Sequence, residues 1–382
     1  MTRGNRIVRL EWALLTGHRP RPLGRNARLP PHGARVQVPL CRLTTEDGLF
    51  GVGPARLESD VARTALGLPL SAMFGESGTD DRWLSLDYPL WDLAARREGL
   101  PVYRLLLRQG GAQTSPGAPL SVECYDTSFY FEETGPPGQE AAFLAEQAGT
   151  SYEHGHRAFK VKVGRGARWM PPGPGLERDV EVLTAVRDAI GPAGKLFADA
   201  NNGYTLNGAK EFLARTAGLG VGWLEEPFHE DAVLLSALRE WLADERSDVL
   251  LADGESATTE DAYRLASEGL LDVVQCDILQ AGFTPWLKLG RALDAMGVAS
   301  APHHFGRYIG NFVSGHLAGA IKGFKYVEWD EATVPGLTMP GYHFHDGRLR
   351  LSDEPGFGIS LDEEMFARTV KSTGFDVGVD DG

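Results

Sequence analysis

The sequence predicts an α/β protein in which a parallel sheet with helices follows a smaller α+β unit. Beyond Pro119, short apolar stretches alternate with helical stretches at the spacing of successive βα units. Before Pro119, apolar and polar residues alternate as they do in antiparallel strands. A closed barrel and an open doubly wound sheet both fit the βα pattern. No GxGxxG motif follows a strand, which disfavours a dinucleotide-binding fold.

The composition excludes several classes of protein. The formal net charge is −14 and no basic block is present, so nucleic acid is not an expected partner. No apolar run approaches the roughly 18 residues that span a bilayer, and no signal-type apolar core follows the first residues, so we expect a cytoplasmic protein with no membrane partner. The three cysteines (Cys41, Cys124 and Cys276) form no CxxC pair, which predicts buried thiols rather than disulfides or a thiolate metal site.

The N-terminal unit is predicted to be antiparallel sheet followed by helix. A Thr-Glu-Asp-Gly turn at 45–48 joins two apolar strands in a hairpin. The stretch 17–28 is rich in proline, glycine and arginine, which predicts a loop, either a solvated connector or a flap over an anionic substrate. A helical pattern from about 80 to 107 is interrupted at Gly99.

The second unit is predicted to contain repeated helices with strands between them. Thr284 precedes Pro285 and is a predicted N-cap, and Thr258 with Asp261 forms a loose capping box. The predicted helices lie near 178–190, 206–217, 231–243, 259–268 and 285–296.

A polar residue suited to chemistry stands at the end of each predicted strand, about one βα unit after the last. The carboxyl ends of parallel barrel strands meet at one mouth, so such residues would form a single site. A single acidic residue after a strand is often only a helix N-cap, but a series in register is not explained by capping. The series is Lys162, Asp199, Glu225, Glu255, Asp277, His303 and Glu328.

Lys160 and Lys162 share one face of their strand, because strand side chains alternate. The apolar residues Phe159, Val161 and Val163 occupy the other face. Taken alone, such lysines also suit an exposed edge strand. The polar residues that follow them at later strand ends favour a catalytic interpretation instead.

The three carboxylates Asp199, Glu225 and Glu255 predict an oxygen-only metal site of the kind that Mg²⁺ prefers. Asn201 shares a face with Asp199 and is expected to support it. Two alternatives stay open, since Glu226 adjoins Glu225 and Asp253 shares a strand face with Glu255. Parity with Trp223 favours Glu225.

These motifs resemble the enolase superfamily, in its mandelate racemase subgroup, over nearly the whole chain. The matching stretches are Lys160-Val161-Lys162, Asp199-Ala200-Asn201, Trp223-Leu224-Glu225-Glu226-Pro227, Ala252-Asp253-Gly254-Glu255, Asp277, Ala301-Pro302-His303 and Val327-Glu328. The resemblance implies a (β/α)7β TIM-like barrel over 121–330, an α+β N-terminal capping domain over 1–120, and a C-terminal segment, 331–382, that returns to complete the cap. It also implies Mg²⁺ as the cofactor.

The same resemblance implies a role for each catalytic residue. Lys162 falls on the family's base, and Lys160 is expected near the substrate carboxylate. Asp277 and His303 fall on an Asp–His dyad, and Glu328 on the glutamate that donates or shares a proton with an enediolate oxygen. Because His304 follows His303, either histidine can be the dyad member. Weaker expected substrate contacts are Asn201, Arg25 and His304.

The function predicted is a Mg²⁺-dependent acid-sugar dehydratase. It would remove the proton α to a carboxylate and expel the β-hydroxyl, giving a 2-keto-3-deoxy acid. Racemisation or epimerisation of a 2-hydroxy acid fits the same residues, and a non-catalytic sugar-acid-binding protein is a third possibility. The expected partners are a small sugar acid and further copies of the chain, since the family often forms dimers or octamers.

Overall fold

The structure, a computed structural model, describes residues 4–111, 118–132 and 139–379. Its strands are β1 Ile7–Leu23, β2 Gly33–Thr45, β3 Phe50–Pro54, β4 Phe74–Gly75, β5 Gly78–Thr79, β6 Ser121–Phe129, β7 Ala158–Lys162, β8 Lys195–Asp199, β9 Val221–Glu225, β10 Leu250–Asp253, β11 Val273–Val274, β12 Ala299–Ser300, β13 Tyr326–Trp329, β14 Leu337–Thr338, β15 His343–His345, β16 Arg348–Arg350, β17 Ser360–Leu361 and β18 Phe375–Gly378. Its α-helices are α1 Ser59–Ala65, α2 Asp87–Arg97, α3 Val102–Gln109, α4 Glu140–Glu153, α5 Pro172–Ile190, α6 Leu206–Thr216, α7 Ala232–Asp244, α8 Thr259–Ser267, α9 Ile278–Ala281, α10 Phe283–Met296, α11 Gly310–Val313 and α12 Glu363–Thr373.

Parallel strands β6 to β13 form a closed barrel within the described residues. Each pairs with the next from β6 to β12, and β13 pairs with β6. A parallel bridge between Ser300 and Phe324, just ahead of β13, closes the ring. Helices α4, α5, α6, α7, α8, α10 and α11 fill the connections. The predicted (β/α)7β barrel is therefore confirmed.

Strand alternation separates the helical layer from the barrel interior. Phe159 and Val161 belong to the large apolar cluster under the helices, whereas Lys160 and Lys162 face inward. Below the lysines, an aromatic layer fills the interior, and Lys160 Nζ lies 5.1 Å from the ring centroid of Tyr125. Because this layer occupies the barrel beneath them, the lysine ammonium groups are directed to the mouth.

The N-terminal unit is an antiparallel sheet in the order β18-β1-β2-β3. Its outer strand β18 comes from the C-terminal segment, and α12 packs against β1. Asp92 of α2 accepts hydrogen bonds from Val52 N at 2.8 Å and Phe357 N at 2.6 Å. The two ends of the chain thus complete one unit.

Several local predictions are confirmed. Gly48 N donates to Thr45 O at 2.9 Å in the turn between β2 and β3, and Thr258 Oγ1 accepts from Asp261 N at 3.1 Å as the N-cap of α8. The helical pattern is interrupted near Gly99, with α2 before it and α3 after it. The three cysteines are free and buried.

Within the described residues, no helix combines the length and apolar character needed to cross a membrane.

Two local predictions are wrong. Part of the predicted loop 17–28 is strand, because β1 runs to Leu23 and its prolines fall where pairing with β2 is interrupted after His18. Thr284 is not an N-cap, since α10 begins at Phe283. The Thr284 hydroxyl instead donates to Asp87 Oδ1 at 2.7 Å, a tertiary contact that local sequence does not reveal.

Candidate active site

Lys160 and Lys162 lie buried at the mouth end of β7. Lys160 Nζ is 2.7 Å from Glu225 Oε1 and 3.1 Å from Glu328 Oε1, and Lys162 Nζ contacts Asp199 Oδ2. Burial alone would lower the pKa of Lys160, but the charges of Glu225 and Glu328 raise it well above its usual value. Lys160 is therefore a fixed cation, suited to holding a substrate carboxylate.

Three carboxylates converge beside the lysines. Asp199 and Glu225 end adjacent strands and are register partners, whereas Glu255 lies just after β10. One oxygen from each of Asp199, Glu225 and Glu255 lies within 4.8 Å of the others. The structure thus brings together the predicted metal ligands from three successive βα units.

This oxygen set fits Mg²⁺. The second oxygen of Glu255, Oε2, is buried with no hydrogen-bond partner within the described residues. Burial and the neighbouring Asp199 raise the pKa of Glu225 to about 7, which reflects crowded negative charge. Gln275 Nε2 donates to Glu225 Oε2 at 2.8 Å and Asn201 N donates to Asp199 Oδ1 at 2.9 Å, orienting both carboxylates. Crowded, oriented carboxylate oxygens are what a hard divalent cation requires.

Glu226 and Asp253, the two alternative ligands, belong to a separate group with Glu230. Glu226 has a φ of 43°, so strand alternation ends there. Its carboxylate accepts from Asn201 Nδ2 at 3.0 Å and Asn202 Nδ2 at 3.2 Å. The geometry therefore favours Glu225 and Glu255 at the lysine-lined site, with the Asn201 side chain turned to Glu226.

Asp277 and His303 are paired at the ends of β11 and β12. His303 Nδ1 lies 3.2 Å from Asp277 Oδ2, and Arg307 Nη1 donates to Asp277 Oδ1 at 2.8 Å. The other ring nitrogen, Nε2, is 3.5 Å from Glu255 Oε1. Burial opposes the charged ring, but Glu255 and Glu328 raise the pKa of His303 to about 10. His303 is thus an imidazolium with a proton to donate.

His304 is placed differently from His303. Its ring is buried against Gly310, and neither ring nitrogen has a hydrogen-bond partner within the described residues. Burial lowers the pKa of His304 to about 4. Of the two histidines, His303 has the dyad geometry.

Glu328 lies between the lysines and the histidines. Its carboxylate accepts from Thr127 Oγ1 at 2.8 Å, His304 N at 2.7 Å and Phe305 N at 2.9 Å. Burial would raise the pKa of Glu328, but Lys160 and His303 hold it well below its usual range. Because Glu328 is ionised, it has no proton of its own to donate and is better suited to orienting Lys160.

The lysines and the dyad face each other across the mouth. In the ring of strands β6 to β13, β7 and β11 are separated by three strands on either side. Side chains from their ends therefore approach a molecule in the mouth from opposite directions. The metal ligands, from β8 to β10, lie between them.

The arginine-rich stretch is already paired with the protein. Arg19 forms a buried ion pair with Asp330, with Nε and Nη2 donating at 2.7 and 2.8 Å. Arg21 pairs with Glu132 at 2.7 Å, and the Arg25 guanidinium lies 4.6 Å from the Trp169 ring centroid. These contacts fit a docked segment better than a flap carrying uncommitted charge.

Sequence reasoning missed three residues at the site. Gln275 shares strand parity with Asp277, and Arg307 follows His303 by four residues, so both had a weak positional signal. His32 had none, because it reaches the mouth from the N-terminal unit. Its ring contacts Tyr130 and Phe305 edge-on, with centroids 4.8 and 5.1 Å away.

Comparison with known proteins identifies similar chains. Residues 143–365 match the family model described as enolase C-terminal domain-like. The L-talarate/galactarate dehydratase of Salmonella typhimurium is 30% identical over 83% of this chain and 72% of its own.

Two solved structures are similar over nearly their whole length. A mandelate racemase/muconate lactonizing protein from Geobacillus sp. Y412MC10, complexed with magnesium and tartrate, is 39% identical, with a TM-score of 0.93 over 98% of this chain and 97% of its own. Galacturonate dehydratase from Geobacillus sp., complexed with D-galacturonate and 5-keto-4-deoxy-D-galacturonate, is 38% identical, with a TM-score of 0.91 over 98% of this chain and 99% of its own.

Proposed function

Because the chain belongs to the enolase superfamily, in its mandelate racemase subgroup, we propose that it is a Mg²⁺-dependent sugar-acid dehydratase. One observation carries the proposal. An amine on Lys162 and a proton-bearing ring on His303 face each other across a mouth that also holds a carboxylate cluster. Elimination of water from a hydroxy acid needs a base and an acid at one substrate.

Lys160 and the three carboxylates have separate parts in binding the substrate and the metal. Lys160, held as a cation by Glu225 and Glu328, attracts the substrate carboxylate. Asp199, Glu225 and Glu255 would hold Mg²⁺. When bound, this ion supplies positive charge that stabilises negative charge developing on the carboxylate.

Two proton transfers, one at the α-carbon and one at the leaving hydroxyl, accomplish the elimination. Lys162, which must be unprotonated to act as the base, takes the α-proton, and the C–H electron pair becomes a carbon–carbon double bond. The β-carbon–oxygen bond breaks, and the leaving hydroxyl takes a proton from His303 to depart as water. Asp277, itself held by Arg307, keeps the His303 ring oriented. The resulting enol takes up a proton at the β-carbon, loses its O–H proton to solvent and becomes a 2-keto-3-deoxy acid.

We propose a hexuronic acid such as D-galacturonate as the substrate class. The support is the 38% identity to a galacturonate dehydratase across 98% of this chain. In a uronic acid the carboxylate is carbon 6, so the α-carbon is carbon 5 and the leaving hydroxyl is on carbon 4. The same elimination counted from the aldehyde end gives a 5-keto-4-deoxy product.

A substrate screen tests the proposed function. The protein with Mg²⁺ is incubated with uronic, aldonic and aldaric acids, and keto-acid formation is measured. We expect product from D-galacturonate and loss of product when EDTA removes the metal. No product from any acid in the panel would contradict the dehydratase proposal.

Epimerisation is the second candidate, because two groups across the mouth can remove a proton from one side and return it on the other. An altered α-carbon configuration without loss of water would identify it in the same screen.

We also propose a cytoplasmic location, which the three free cysteines support. We further propose a homo-oligomer, a dimer or octamer, because members of the family often form such assemblies. The proposed division of the chain is a capping domain over 1–120, a barrel over 121–330 and a returning segment over 331–382. Light scattering after gel filtration tests the assembly, and limited proteolysis tests the division.

A further inference from the structure

A cavity of about 600 Å³ lies at the end of the barrel opposite to the catalytic residues. Its lining includes the first residues of five barrel strands, which are Lys195, Leu250, Val273, Ala299 and Tyr326. Parallel strands all begin at one end of a barrel and finish at the other, so this cavity is remote from the mouth. We call it the lower cavity, and its volume is in the range of sites that bind small molecules.

The inner wall of the lower cavity is aromatic. Phe197 and Trp223 stack with ring centroids 3.6 Å apart, and Tyr326 meets Trp223 edge-on at 5.6 Å. All three rings belong to the aromatic layer inside the barrel. The layer therefore separates the lower cavity from the catalytic residues, and a molecule in this cavity does not reach Lys162.

Trp223, in this wall, has an unused hydrogen-bond donor. Its side chain is buried, and Nε1 has no hydrogen-bond partner within the described residues. A buried polar atom without a partner is costly and calls for an explanation, of which a ligand is one. An indole N–H can only donate, so the missing partner is an acceptor atom.

The lower cavity is lined by positive charge in an acidic chain. The chain has 52 acidic residues against 38 lysines and arginines, yet no aspartate or glutamate of the described residues lines this cavity. Three cations do, which are Arg187, Lys195 and Lys325. Lys195 is neutralised by Glu123 at 2.6 Å, whereas Arg187 and Lys325 form no ion pair with any described residue.

The Arg187 guanidinium is half-buried and donates to backbone carbonyl oxygens. Nε donates to Leu219 O at 2.8 Å, and Nη1 donates to Gly191 O and Gly194 O, both at 2.7 Å. Nη2 makes a long contact of 3.4 Å, with Gly220 O. Burial lowers the pKa of Arg187, and no acidic side chain of the described residues offsets this effect. Its charge is therefore oriented but not neutralised, which suits the binding of an anion.

We propose that the lower cavity binds a small organic anion with a planar apolar body, such as an aromatic carboxylate or sulfonate. The body lies against the wall formed by Phe197, Trp223 and Tyr326. The anionic group lies toward Arg187 and Lys325. The proposal goes beyond the catalytic function and does not rest on it, because the aromatic layer separates the two sites.

Equilibrium dialysis against 2-naphthalenesulfonate tests the proposal, with the neutral 2-naphthalenemethanol as the comparison probe. The full chain is used with Mg²⁺, in the presence and absence of excess D-galacturonate. Lys325→Glu reverses a charge at an exposed position of the cavity. Lys322→Glu is the matched control, since Lys322 is also exposed but does not line the cavity.

We expect one sulfonate per chain, weaker binding of the neutral alcohol, and no competition from D-galacturonate. Lys325→Glu should weaken sulfonate binding roughly 3- to 10-fold, because a repulsion replaces an attraction at an exposed position. Lys322→Glu should change it by less than about twofold. Binding of the neutral alcohol should be the same in both variants.

Absence of sulfonate binding by the wild type would overturn the proposal. So would displacement of the sulfonate by D-galacturonate, or an equal effect of the two lysine variants. If Lys325→Glu but not Lys322→Glu lowered the mass measured by light scattering, the cavity would be an interface between copies of the chain, and the proposal would also fail. None of these outcomes depends on keto-acid formation, so the dehydratase proposal is tested separately.

Discussion

Two regions lie at the barrel mouth, the strand ends that carry Lys162, Asp199 and Glu225, which we call the rim, and the segment 24–32, which we call the docked loop. Different kinds of contact hold them in place. On the rim, Lys162, Asp199 and Glu225 end successive strands, and backbone pairing holds each in register with the next. The docked loop is held by side-chain and backbone contacts between parts of the chain far apart in sequence. The rim residues are therefore placed by strand register, whereas the position of the loop depends on contacts between distant parts of the chain.

The largest effect expected is on the rim. Lys162→Ala removes the proposed base, so kcat should fall by about 10²- to 10⁴-fold, the usual contribution of general base catalysis. The measurement is keto-acid formation, with Tm as a check on folding. Lys195→Ala is the matched control, since Lys195 is half exposed at the opposite end of β8 and pairs with Glu123. Equal loss in both variants would contradict a specific role for Lys162.

Two adjacent glutamates, Glu225 and Glu226, are expected to differ in their effect on Mg²⁺ binding. Glu225→Gln should raise the Mg²⁺ concentration needed for half-maximal activity by more than about 100-fold, whereas Glu226→Gln, which acts through Asn201 and Asn202, should stay within about 10-fold. Titration of activity and direct Mg²⁺ binding give the two values. The reverse order would move the ligand to Glu226.

A smaller effect on kcat is expected at Arg307, which contacts the Asp277–His303 dyad through Asp277. Arg307→Gln removes the hydrogen bond to Asp277 Oδ1, which leaves His303 less well oriented. We expect kcat to fall about tenfold with KM nearly unchanged, the value of one charge-assisted hydrogen bond. Arg291→Gln, on the exposed face of α10, should behave as wild type. A change in KM alone would indicate that Arg307 binds substrate instead.

The smallest effect is expected in the docked loop. Ala27→Leu overpacks the contact with Gly164 and Gly203 and should displace the loop at a cost of about 1–3 kcal/mol. KM should rise severalfold with kcat little changed, because the rim keeps its register. Leu29→Ala, at an exposed position of the same loop, is the control. A large fall in kcat would show that displacing the loop also disturbs the catalytic residues at the strand ends.

Sequence reasoning succeeded where strand periodicity decides position. Parity grouped Glu225 with Trp223 and left open which face is inward, and the structure puts Trp223 in the barrel interior with Glu225 beside Lys160. Alternation also separated Lys160 from Phe159. These features depend on neighbours along one strand, which the sequence shows directly.

It failed where tertiary contacts decide. Thr284 has the sequence of an N-cap but is bonded to Asp87 from another helix. The stretch 17–28 could be either a solvated connector or a flap over an anionic substrate, and the ion pair that Arg19 forms with the distant Asp330 is visible only in the structure. His32 has no local motif, since its position depends on how the loop docks.

Solvent exchange at the α-carbon tests the central claim most directly, that Lys162 removes the proton and His303 assists the leaving group. D-galacturonate is incubated in D₂O with Mg²⁺ and either Lys162→Ala or His303→Asn, and deuterium at carbon 5 is measured by NMR. We predict exchange without product in His303→Asn, and neither exchange nor product in Lys162→Ala. Normal exchange in Lys162→Ala together with none in His303→Asn would contradict the account and assign the base to His303.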